Sequence, residues 1–474
     1  MGRRADDTRW WLLVMLMPFF YACATRLPFI AYAIEAFRFG FSPVEVGALI
    51  ANYQFTRAIG NSLQGRLSHL PWCIIAYLIG FAGYAANIGY ASVARGRVQF
   101  CIGFGVAGFT EVLPCLTTWL KEAYAEEDQS VQRRWYRMQY TVINMGSAFC
   151  FAVGGVLYDK VGIHSVAYFG AASALLGLIS TIAFSAVMVR GSSDTTVDDA
   201  PGGDASLEPS QEATWRGMTW IEYVLGLSFG IESTTIAIVL SVGPLFLLDH
   251  FGMEPLRFGF LMAGGELLGG VLLLMTVDER LHELWRWCLP NPWPLVVGFG
   301  ILTIANLLYL VPKTACGIAF VCIGQVLIHG VNGFVVGILI EMQGSTTAES
   351  DMKHIASFGQ TCRRILNCTF SFLAPILYDA IPRAPFICAA CVSFVWTVFL
   401  AFAMYADMQQ KRKLLESDPG DAARRACRGT WITMTLEAGK VSGASRSRDP
   451  ASSPSRSIAK GGEGKTSGAQ YGTM

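Results

Sequence analysis

The chain alternates between long apolar segments and short polar stretches. A helix needs about 20 mainly apolar residues to cross the hydrocarbon core of a bilayer. Segments of that size recur along the chain, and each predicts a membrane-spanning helix: 10–34, 44–65, 71–92, 98–120, 138–157, 165–189, 219–248, 256–277, 293–312, 315–340, 357–378 and 385–407. The pattern therefore predicts an all-α membrane protein with twelve transmembrane helices.

The predicted helices fall into two groups of six that are separated by a polar stretch. Residues 191–217 are rich in Ser, Asp and Gly and lack apolar periodicity, which is typical of a flexible linker. Residues 408–474 are rich in Ser, Gly, Arg and Pro, and this composition predicts a disordered tail. We therefore expect one six-helix bundle over 1–190 and a second over 218–407.

Two repeated phrases relate the halves of the chain. Phe39-Gly-Phe-Ser-Pro43-Val-Glu-Val-Gly47 returns in the second half as Phe251-Gly-Met-Glu-Pro255-Leu-Arg-Phe-Gly259. Val156-Leu-Tyr158-Asp159 likewise returns as Ile376-Leu-Tyr378-Asp379. Each phrase lies at the ends of corresponding predicted helices, so the repeats indicate duplication of a six-helix unit. Two such parallel halves are one of the plans on which membrane transporters are built.

The composition excludes several classes of protein. With 53% hydrophobic residues, 15% charged residues and a mean hydropathy of +0.42, the chain is too apolar for a soluble globule. The net charge of +1 gives no reason to expect a nucleic-acid partner. The 13 cysteines are scattered without metal-ligand spacing, and no nucleophile motif or phosphate-binding loop occurs. We therefore expect neither an enzyme nor a metal or cofactor.

The loop charges predict the orientation of the chain. Lys and Arg in the short loops concentrate on the side of the membrane that holds the N-terminus. Both termini, the linker and the tail are accordingly predicted to be cytoplasmic. We expect a monomer embedded in the lipid bilayer that acts on a small-molecule substrate. The plasma membrane and an organelle membrane stay open as alternatives, because no targeting sequence is evident.

Three motifs resemble those of the major facilitator superfamily, and the likeness covers nearly all of 10–407. The family's Gly-x-x-x-Asp-Arg motif corresponds to Gly60-Asn-Ser-Leu-Gln64-Gly65-Arg66, where the acidic residue is missing and the Arg comes one place late. The family's Arg-x-x-Gln-Gly-x-Gly motif corresponds to Arg97-Val-Gln-Phe-Cys101-Ile-Gly103. Its antiporter-type glycine pattern in the fifth helix matches at Gly146, Gly154 and Gly155.

This resemblance implies a fold and a way of working. The family consists of two six-helix bundles around a central cavity, which opens to alternate sides of the membrane. Glycines in transmembrane helices allow close helix contact. The resemblance therefore implies gating or packing roles for a set of motif residues: Gly60, Arg66, Arg97, Gly146, Gly154 and Gly155.

Four charged residues lie near the middle of predicted helices: Arg26, Arg57, Glu232 and Glu266. Charges at bilayer depth are costly and usually face a cavity or a partner, and the resemblance implies that these four helices flank the cavity. Arg keeps its charge and binds a carboxylate or phosphate through two hydrogen bonds. We therefore predict that Arg26 and Arg57 bind the anionic group of an organic anion or zwitterion, and that Asn52, Glu232 and Glu266 belong to the same substrate site. The alternative is that the basic and acidic residues neutralise one another as a structural lock.

Proton coupling is predicted from buried titratable groups. Burial favours the neutral form of a carboxyl group, and histidine titrates near neutral pH. The candidates are Glu232, Glu266, His329 and Glu111. Structural roles for Glu111 and His329 stay open as alternatives. Arg363 and Arg364 are interpreted as the positively charged flank of helix 11, with anion binding as the alternative.

These observations predict a secondary active transporter that moves a small organic anion or zwitterion by alternating access with proton coupling. Two other functions stay open. The glycines of the fifth helix suggest a proton-coupled exporter of drug-like or toxic compounds. The incomplete Gly60 motif leaves a non-transporting membrane sensor or scaffold as the third hypothesis.

Overall fold

The computed structural model describes residues 11–66, 70–108, 116, 120, 129–193, 220–277, 293–346 and 349–417. An α-helix occurs at each of the twelve predicted positions within these ranges, and the ranges contain no β-strand. The helices are α1 Met17–Arg38 (preceded by the π-helical turn Trp11–Leu16), α2 Pro43–Arg66, α3 Leu70–Ser92, α4 Arg97–Ala107, α5 Gln129–Lys160, α6 Ile163–Ser193, α7 Trp220–Phe251, α8 Pro255–Val277, α9 Trp293–Leu307, α10 Ala315–Thr346, α11 Glu349–Ala380 and α12 Ala384–Ser417.

Seven helical stretches of the described chain are long and apolar enough to cross a membrane: Arg134–Lys160, Ile163–Val187, Tyr223–Phe251, Pro255–Met275, Trp293–Leu310, Ala315–Leu339 and Ala384–Ala406. Trp11–Arg26 and Ile74–Tyr90 are shorter apolar helical stretches. The protein is therefore an integral multi-pass membrane protein. The number of twelve spans and the cytoplasmic position of the termini stay predictions.

The first repeated phrase is a structural unit that ends one helix and begins the next. Gly40 and Gly252 both have a positive φ, of 77° and 63°, a conformation that glycine adopts without steric cost. Pro43 and Pro255 then occupy the first positions of α2 and α8, where the missing N–H of proline costs nothing. Both tight connections therefore have the same local cause. We call the end of the molecule that carries these two turns the Phe-Gly end.

The second repeated phrase ties helices together near their ends. The hydroxyl of Tyr158 on α5 donates a hydrogen bond to Glu35 Oε2 on α1 over 3.0 Å. The hydroxyl of Tyr378 on α11 donates to Asp249 Oδ2 on α7, also over 3.0 Å. Each repeated tyrosine thus joins its helix to the first helix of the same half.

The two halves meet along two helix pairs, α2 with α11 and α5 with α8. Small residues bring the backbones together at both places. Gly259 on α8 lies against Gly155 on α5, and a Cβ built at Gly259 would lie only 2.7 Å from the carbonyl oxygen of Phe151. At the other junction, Gly47 on α2 lies against Pro375 on α11. These close contacts leave no room for larger side chains and hold the Phe-Gly end together.

The predicted ends of the two six-helix bundles differ from the ends of the last helix in each. α6 continues to Ser193 and α12 to Ser417, past the predicted boundaries at 190 and 407. The additional turns of α12 contain Lys, Arg, Leu and Glu, which are strong helix formers although they are not all apolar. The remainder of the predicted linker and tail, at 194–217 and 418–474, lies outside the described residues.

Candidate functional site

Arg57 of α2 is buried among tyrosines. Only 8% of the residue is exposed, and its NH2 group donates a hydrogen bond to the hydroxyl of Tyr21 on α1 over 2.6 Å. Its charge also interacts electrostatically with Tyr53 and Tyr84. Phenol oxygens accept hydrogen bonds without neutralising a guanidinium. The aromatic surroundings therefore hold the guanidinium group of Arg57 in place.

Two consecutive arginines on α11 approach this position from the other half of the chain. Arg364 is 5% exposed, and its NH1 group donates to Gln54 Oε1 on α2 over 3.5 Å. Electrostatic interactions connect Arg364 with both Arg57 and Arg363. Like charges repel each other more strongly in a buried environment than in water. The α2–α11 junction thus concentrates positive charge from both bundles.

Glu232 of α7 provides a carboxylate beside these arginines. The residue is fully buried, and its Oε2 lies 3.8 Å from Arg363 Nε. Neither carboxylate oxygen accepts a hydrogen bond from a described residue. Arg26 of α1 lies within electrostatic range of the same carboxylate. A buried carboxylate without hydrogen bonds is costly, so Glu232 is a ready acceptor for a donor group.

Tyr140 of α5 completes this group of side chains. It interacts electrostatically with Arg57, Arg363, Arg364 and Glu232. The group therefore draws on both halves of the chain. We call the following residues the arginine cluster: Tyr21, Gln54, Arg57, Tyr140, Glu232, Arg363 and Arg364.

A second buried ionisable pair joins α8 to α10. Glu266 Oε1 lies 3.1 Å from His329 Nδ1, and the two side chains are 11% and 2% exposed. The other ring nitrogen of His329, Nε2, is buried and makes no hydrogen bond with the described residues. A carboxyl group and an imidazole at this distance share a hydrogen bond and can exchange one proton. We call them the Glu266–His329 pair.

The sequence as a whole identifies the family. A sequence model of the Major Facilitator Superfamily matches residues 14–370. The chain belongs to this family. No curated protein sequence matches the chain.

Two solved structures share the fold of this facilitator. The human organic anion transporter MFSD10 (TETRAN) superposes with a TM-score of 0.54 at 12% identity, over 84% of this chain and 99% of that chain. A mutant of the nucleoside transporter NupG superposes with a TM-score of 0.60 at 11% identity, over 85% of this chain and 99% of that chain. At such low identity the likeness shows the fold alone. Family and fold together support membrane transport as the general function of this facilitator.

The structure brings some of the predicted site residues together and places others elsewhere. Arg57 and Glu232 lie in the arginine cluster, and Arg26 lies within range of Glu232. Glu266 is paired with His329 rather than with the arginines. Asn52 lies exposed on α2, close to Gly105 of α4.

The contacts of several motif residues of the facilitator are described by the structure. Arg97 forms an ion pair with Glu45 over 3.0 Å and also donates to the carbonyl oxygen of Gly40, so it ties the start of α4 to the α1–α2 turn. Gly146 packs against α1, where a Cβ would lie 3.0 Å from that of Ala22. Gly60 and Gly154 are buried. Glu111 and the side chain of Arg66 lie outside the described part of the chain. The predicted gating roles stay predictions.

Sequence reasoning underrated Arg363 and Arg364 and missed Tyr21 and Tyr140. The predicted start of helix 11 at residue 357 put the arginines within two turns of a helix end, whereas α11 begins at Glu349. The first turns of α11 contain many polar residues, so a search for apolar segments does not detect where the helix begins. The second repeated phrase indicated that Arg364 lies in the middle of its helix. The alignment of Tyr158 with Tyr378 also aligns Arg364 with Asn144, which lies in the middle of helix 5.

Proposed function

We propose that this facilitator moves a small organic anion or zwitterion across the membrane by alternating access. The arginine cluster carries the proposal. Guanidinium groups from both bundles meet there: Arg57 and Arg363 each interact electrostatically with Arg364, and Arg363 Nε lies 3.8 Å from the carboxylate of Glu232. An arginine keeps its charge at any physiological pH, so these guanidinium groups can bind an anion at every stage of the transport cycle.

The position of the cluster connects anion binding to movement of the halves. Arg57 belongs to the first bundle, and the other two arginines belong to the second. A carboxylate between them would convert repulsion across the α2–α11 junction into attraction. Closure of the bundles around the site is then favoured when an anion is bound, and this is the differential interaction that a ligand needs to shift a conformational equilibrium.

Glu232 extends the proposal to zwitterions. Its carboxylate oxygens accept no hydrogen bond from the residues the structure describes. An ammonium group on the substrate would supply donors to those oxygens while the substrate carboxylate binds the guanidinium groups. Zwitterions with both groups should therefore bind more tightly than acids that lack the amine.

We propose that the Glu266–His329 pair couples transport to protons. The pair is buried between α8 and α10, and α8 is also one of the helices at the junction between the bundles. A proton on this pair removes a buried negative charge or creates a compensated ion pair, so protonation changes the electrostatic cost of repacking α8. The pair is separate in sequence and in hydrogen bonding from the arginine cluster, which allows a proton and an anion to be bound together.

Transport by purified protein in liposomes tests the proposal. A panel of radiolabelled carboxylates and amino acids should include substrates whose uptake responds to a pH gradient. Arg57→Gln and Arg364→Gln should each lower uptake at least tenfold, because charge-assisted hydrogen bonds contribute about 1.5–3 kcal/mol. Arg257→Gln is the matched control, since the Arg257 side chain is 74% exposed at the start of α8.

The outcomes separate the proposed function from its rivals. Absence of uptake for every anion and zwitterion in the panel would refute it. Normal activity of Arg57→Gln, combined with loss of activity when residues 414–474 are deleted, would favour the sensor hypothesis. The exporter hypothesis rests on the glycines of α5, and the contact of Gly155 with Gly259 serves packing with any substrate.

A further inference from the structure

A groove of about 480 Å³ lies between α2 and α11. A volume of this size is within the range of about 300–1,000 Å³ that is typical of small-molecule sites. The groove is lined by Ala51, Asn52 and Phe55 of α2 and by Cys368, Thr369, Phe372 and Leu373 of α11. We call it the α2–α11 groove.

The groove opens on an apolar surface of the helix bundle. Phe55 is 55% exposed and Phe372 is 47% exposed. Ile365 and Ile376 of α11 are also exposed and apolar, and the exposed residue Thr369 lies between Ile365 and Phe372. Exposed apolar faces of membrane helices contact acyl chains, whereas polar and charged residues face protein or a water-filled cavity. The mouth of the groove therefore faces the hydrocarbon of the bilayer.

Most of the side-chain groups that line the groove and could contact a ligand are apolar. Thr369 uses its hydroxyl in a hydrogen bond to the carbonyl oxygen of Ile365 over 2.9 Å. Asn52 lies close to Gly105 of α4 and is exposed, so its amide is the polar group that the lining offers. The remaining lining side chains are hydrocarbon or thiol. Such a surface suits an alkyl chain and offers little to a polar solute.

The two ends of the groove differ in chemistry. Toward the Phe-Gly end the groove is closed by the contact of Gly47 with Pro375. In the opposite direction along α11, before the first lining residue of that helix, lies Arg364, which donates a hydrogen bond to Gln54. Arg364 precedes Cys368 by one turn of α11, which corresponds to about 5–6 Å of helix rise. An apolar groove thus begins one helical turn from a buried guanidinium group.

We propose that the α2–α11 groove holds the apolar tail of an amphiphilic organic anion whose carboxylate binds Arg364 in the arginine cluster. The inference rests on the proposed function and adds the class of substrate. Charge complementarity fixes the direction of the ligand, because the guanidinium lies at one end and only apolar contacts lie at the other. A substrate carboxylate would form a charge-assisted hydrogen bond with Arg364 that is stronger than the long one, of 3.5 Å, that Gln54 accepts.

The length of the groove sets the length of the tail. The stretch of α11 from Arg364 to Leu373 corresponds to about 13 Å along the helix axis. Alkyl chains of medium length fill that distance. Each methylene group removed from water should raise the affinity about fourfold, until the groove is full.

Photolabelling of the intact protein tests this placement without relying on transport. The probe is a twelve-carbon carboxylate with a diazirine at its far end, added to the protein in nanodiscs. We expect labelled peptides that contain residues 51–55 and 368–373. Dodecanoate should compete with the probe, and dodecyltrimethylammonium should not, because only the acid can bind Arg364. Arg364→Gln should lower labelling of the groove at least tenfold.

A variant that fills the groove tests the role of the tail. Ala51→Trp should lower binding and uptake of dodecanoate at least tenfold and change those of butanoate less than twofold. Val395→Trp is the matched control, since Val395 is 65% exposed on α12 and is remote in sequence from the groove. Comparison of the two acids separates failure of the groove proposal from failure of the proposed function.

Three outcomes overturn the inference in distinguishable ways. If butanoate and dodecanoate are transported equally well by wild type and by Ala51→Trp, the groove holds no tail and the proposed function stands. If a diazirine-bearing phosphatidylcholine labels the groove and dodecanoate does not displace it, the occupant is a membrane lipid. If no carboxylate of any length binds or is transported, the proposed function and the groove proposal fail together.

Discussion

Substitution of Gly259 by Val probes the contact that joins the bundles at the Phe-Gly end. A Cβ at this position would lie 2.7 Å from the carbonyl oxygen of Phe151 and 3.0 Å from the Cα of Gly155. Both atoms belong to the backbone of α5, so neither can turn away. The helices must separate locally, and overpacking of this kind costs about 1–3 kcal/mol. The conformation with this end closed should therefore lose about 5- to 150-fold in population relative to conformations with this end open.

Distance measurements between spin labels at the Phe-Gly end would detect the shift. Val161 and Glu254 are suitable label positions, because both side chains are well exposed and they belong to different halves of the chain. In a background without reactive thiols, Gly259→Val should move the distance distribution toward longer values. Transport should fall in parallel, since alternating access requires that this end closes once in each cycle.

A matched glycine substitution on the same helix controls for effects on α8 itself. A Cβ at Gly264 would meet its nearest neighbour, Val326 Cγ2, at 3.9 Å, which is an ordinary contact. Gly264→Ala should therefore leave both the distances and the transport rate unchanged. If Gly259→Val behaves like Gly264→Ala in both assays, the contact of α5 with α8 does not control closure and the reasoning is wrong.

Three further predictions follow from the buried polar contacts. Tyr378→Phe removes the hydrogen bond to Asp249 and should lower the free energy of unfolding by about 1 kcal/mol, measured as a lower midpoint of thermal unfolding. Glu266→Gln should abolish uptake driven by a pH gradient while it preserves exchange of substrate across the membrane, measured with preloaded liposomes. Arg363→Gln leaves the buried Glu232 without its ion-pair partner and should destabilise the protein by about 3–5 kcal/mol, whereas the double variant with Glu232→Gln should recover most of that stability.

Each of these predictions has a result that contradicts it. Tyr168→Phe is the control for Tyr378→Phe, because Tyr168 is 64% exposed on α6. Equal effects of the two substitutions would show that the hydrogen bond of Tyr378 does not stabilise the protein. Loss of both exchange and driven uptake in Glu266→Gln would indicate a structural rather than a coupling role. A double variant as unstable as Arg363→Gln would show that burial of the charge on Glu232 is not the source of the destabilisation.

The helices and the duplication could be predicted from the sequence because both depend on local patterns. About 20 apolar residues specify a spanning helix, and the Phe-Gly phrase specifies a turn because Gly40 and Gly252 adopt positive φ values. Contacts between helices depend on how each helix is rotated about its axis, which a pattern does not specify. The pairing of Glu266 with His329 joins two helices that are not consecutive in the chain. It was therefore not predicted, although each residue was chosen as a candidate.

The starts of α5 and α11 illustrate the same limit at the ends of helices. α5 begins at Gln129 and α11 at Glu349, and both starts precede the predicted ones at 138 and 357. The first turns of both helices carry charged and polar residues, so an apolar window excludes them. The alignment of Tyr158 with Tyr378 places the two observed starts opposite each other, and it does the same for the two helix ends. The repeat, extended along the whole helix, would have corrected both predictions.

The repeat also shows that the α2–α11 and α5–α8 junctions consist of corresponding helices of the two halves but carry different polar residues. The first repeated phrase aligns Gln54 with Glu266, and the second aligns Asn144 with Arg364. At the α2–α11 junction, Arg364 donates to Gln54. At the α5–α8 junction, Asn144 lies against Gly269, one turn from Glu266, and the carboxyl group of Glu266 is left for His329 on α10.

The positions of the two junctions were duplicated, while their charges diverged. A guanidinium at one junction suits an anion, because it keeps its charge throughout the cycle. A carboxyl group on α8 that shares a hydrogen bond with an imidazole on α10 suits a proton, because either group can hold it. We infer that substrate binding belongs to the α2–α11 junction and proton coupling to the Glu266–His329 pair between α8 and α10. Since both junctions must repack when the bundles rock against each other, each ligand acts on the same movement through its own helix pair.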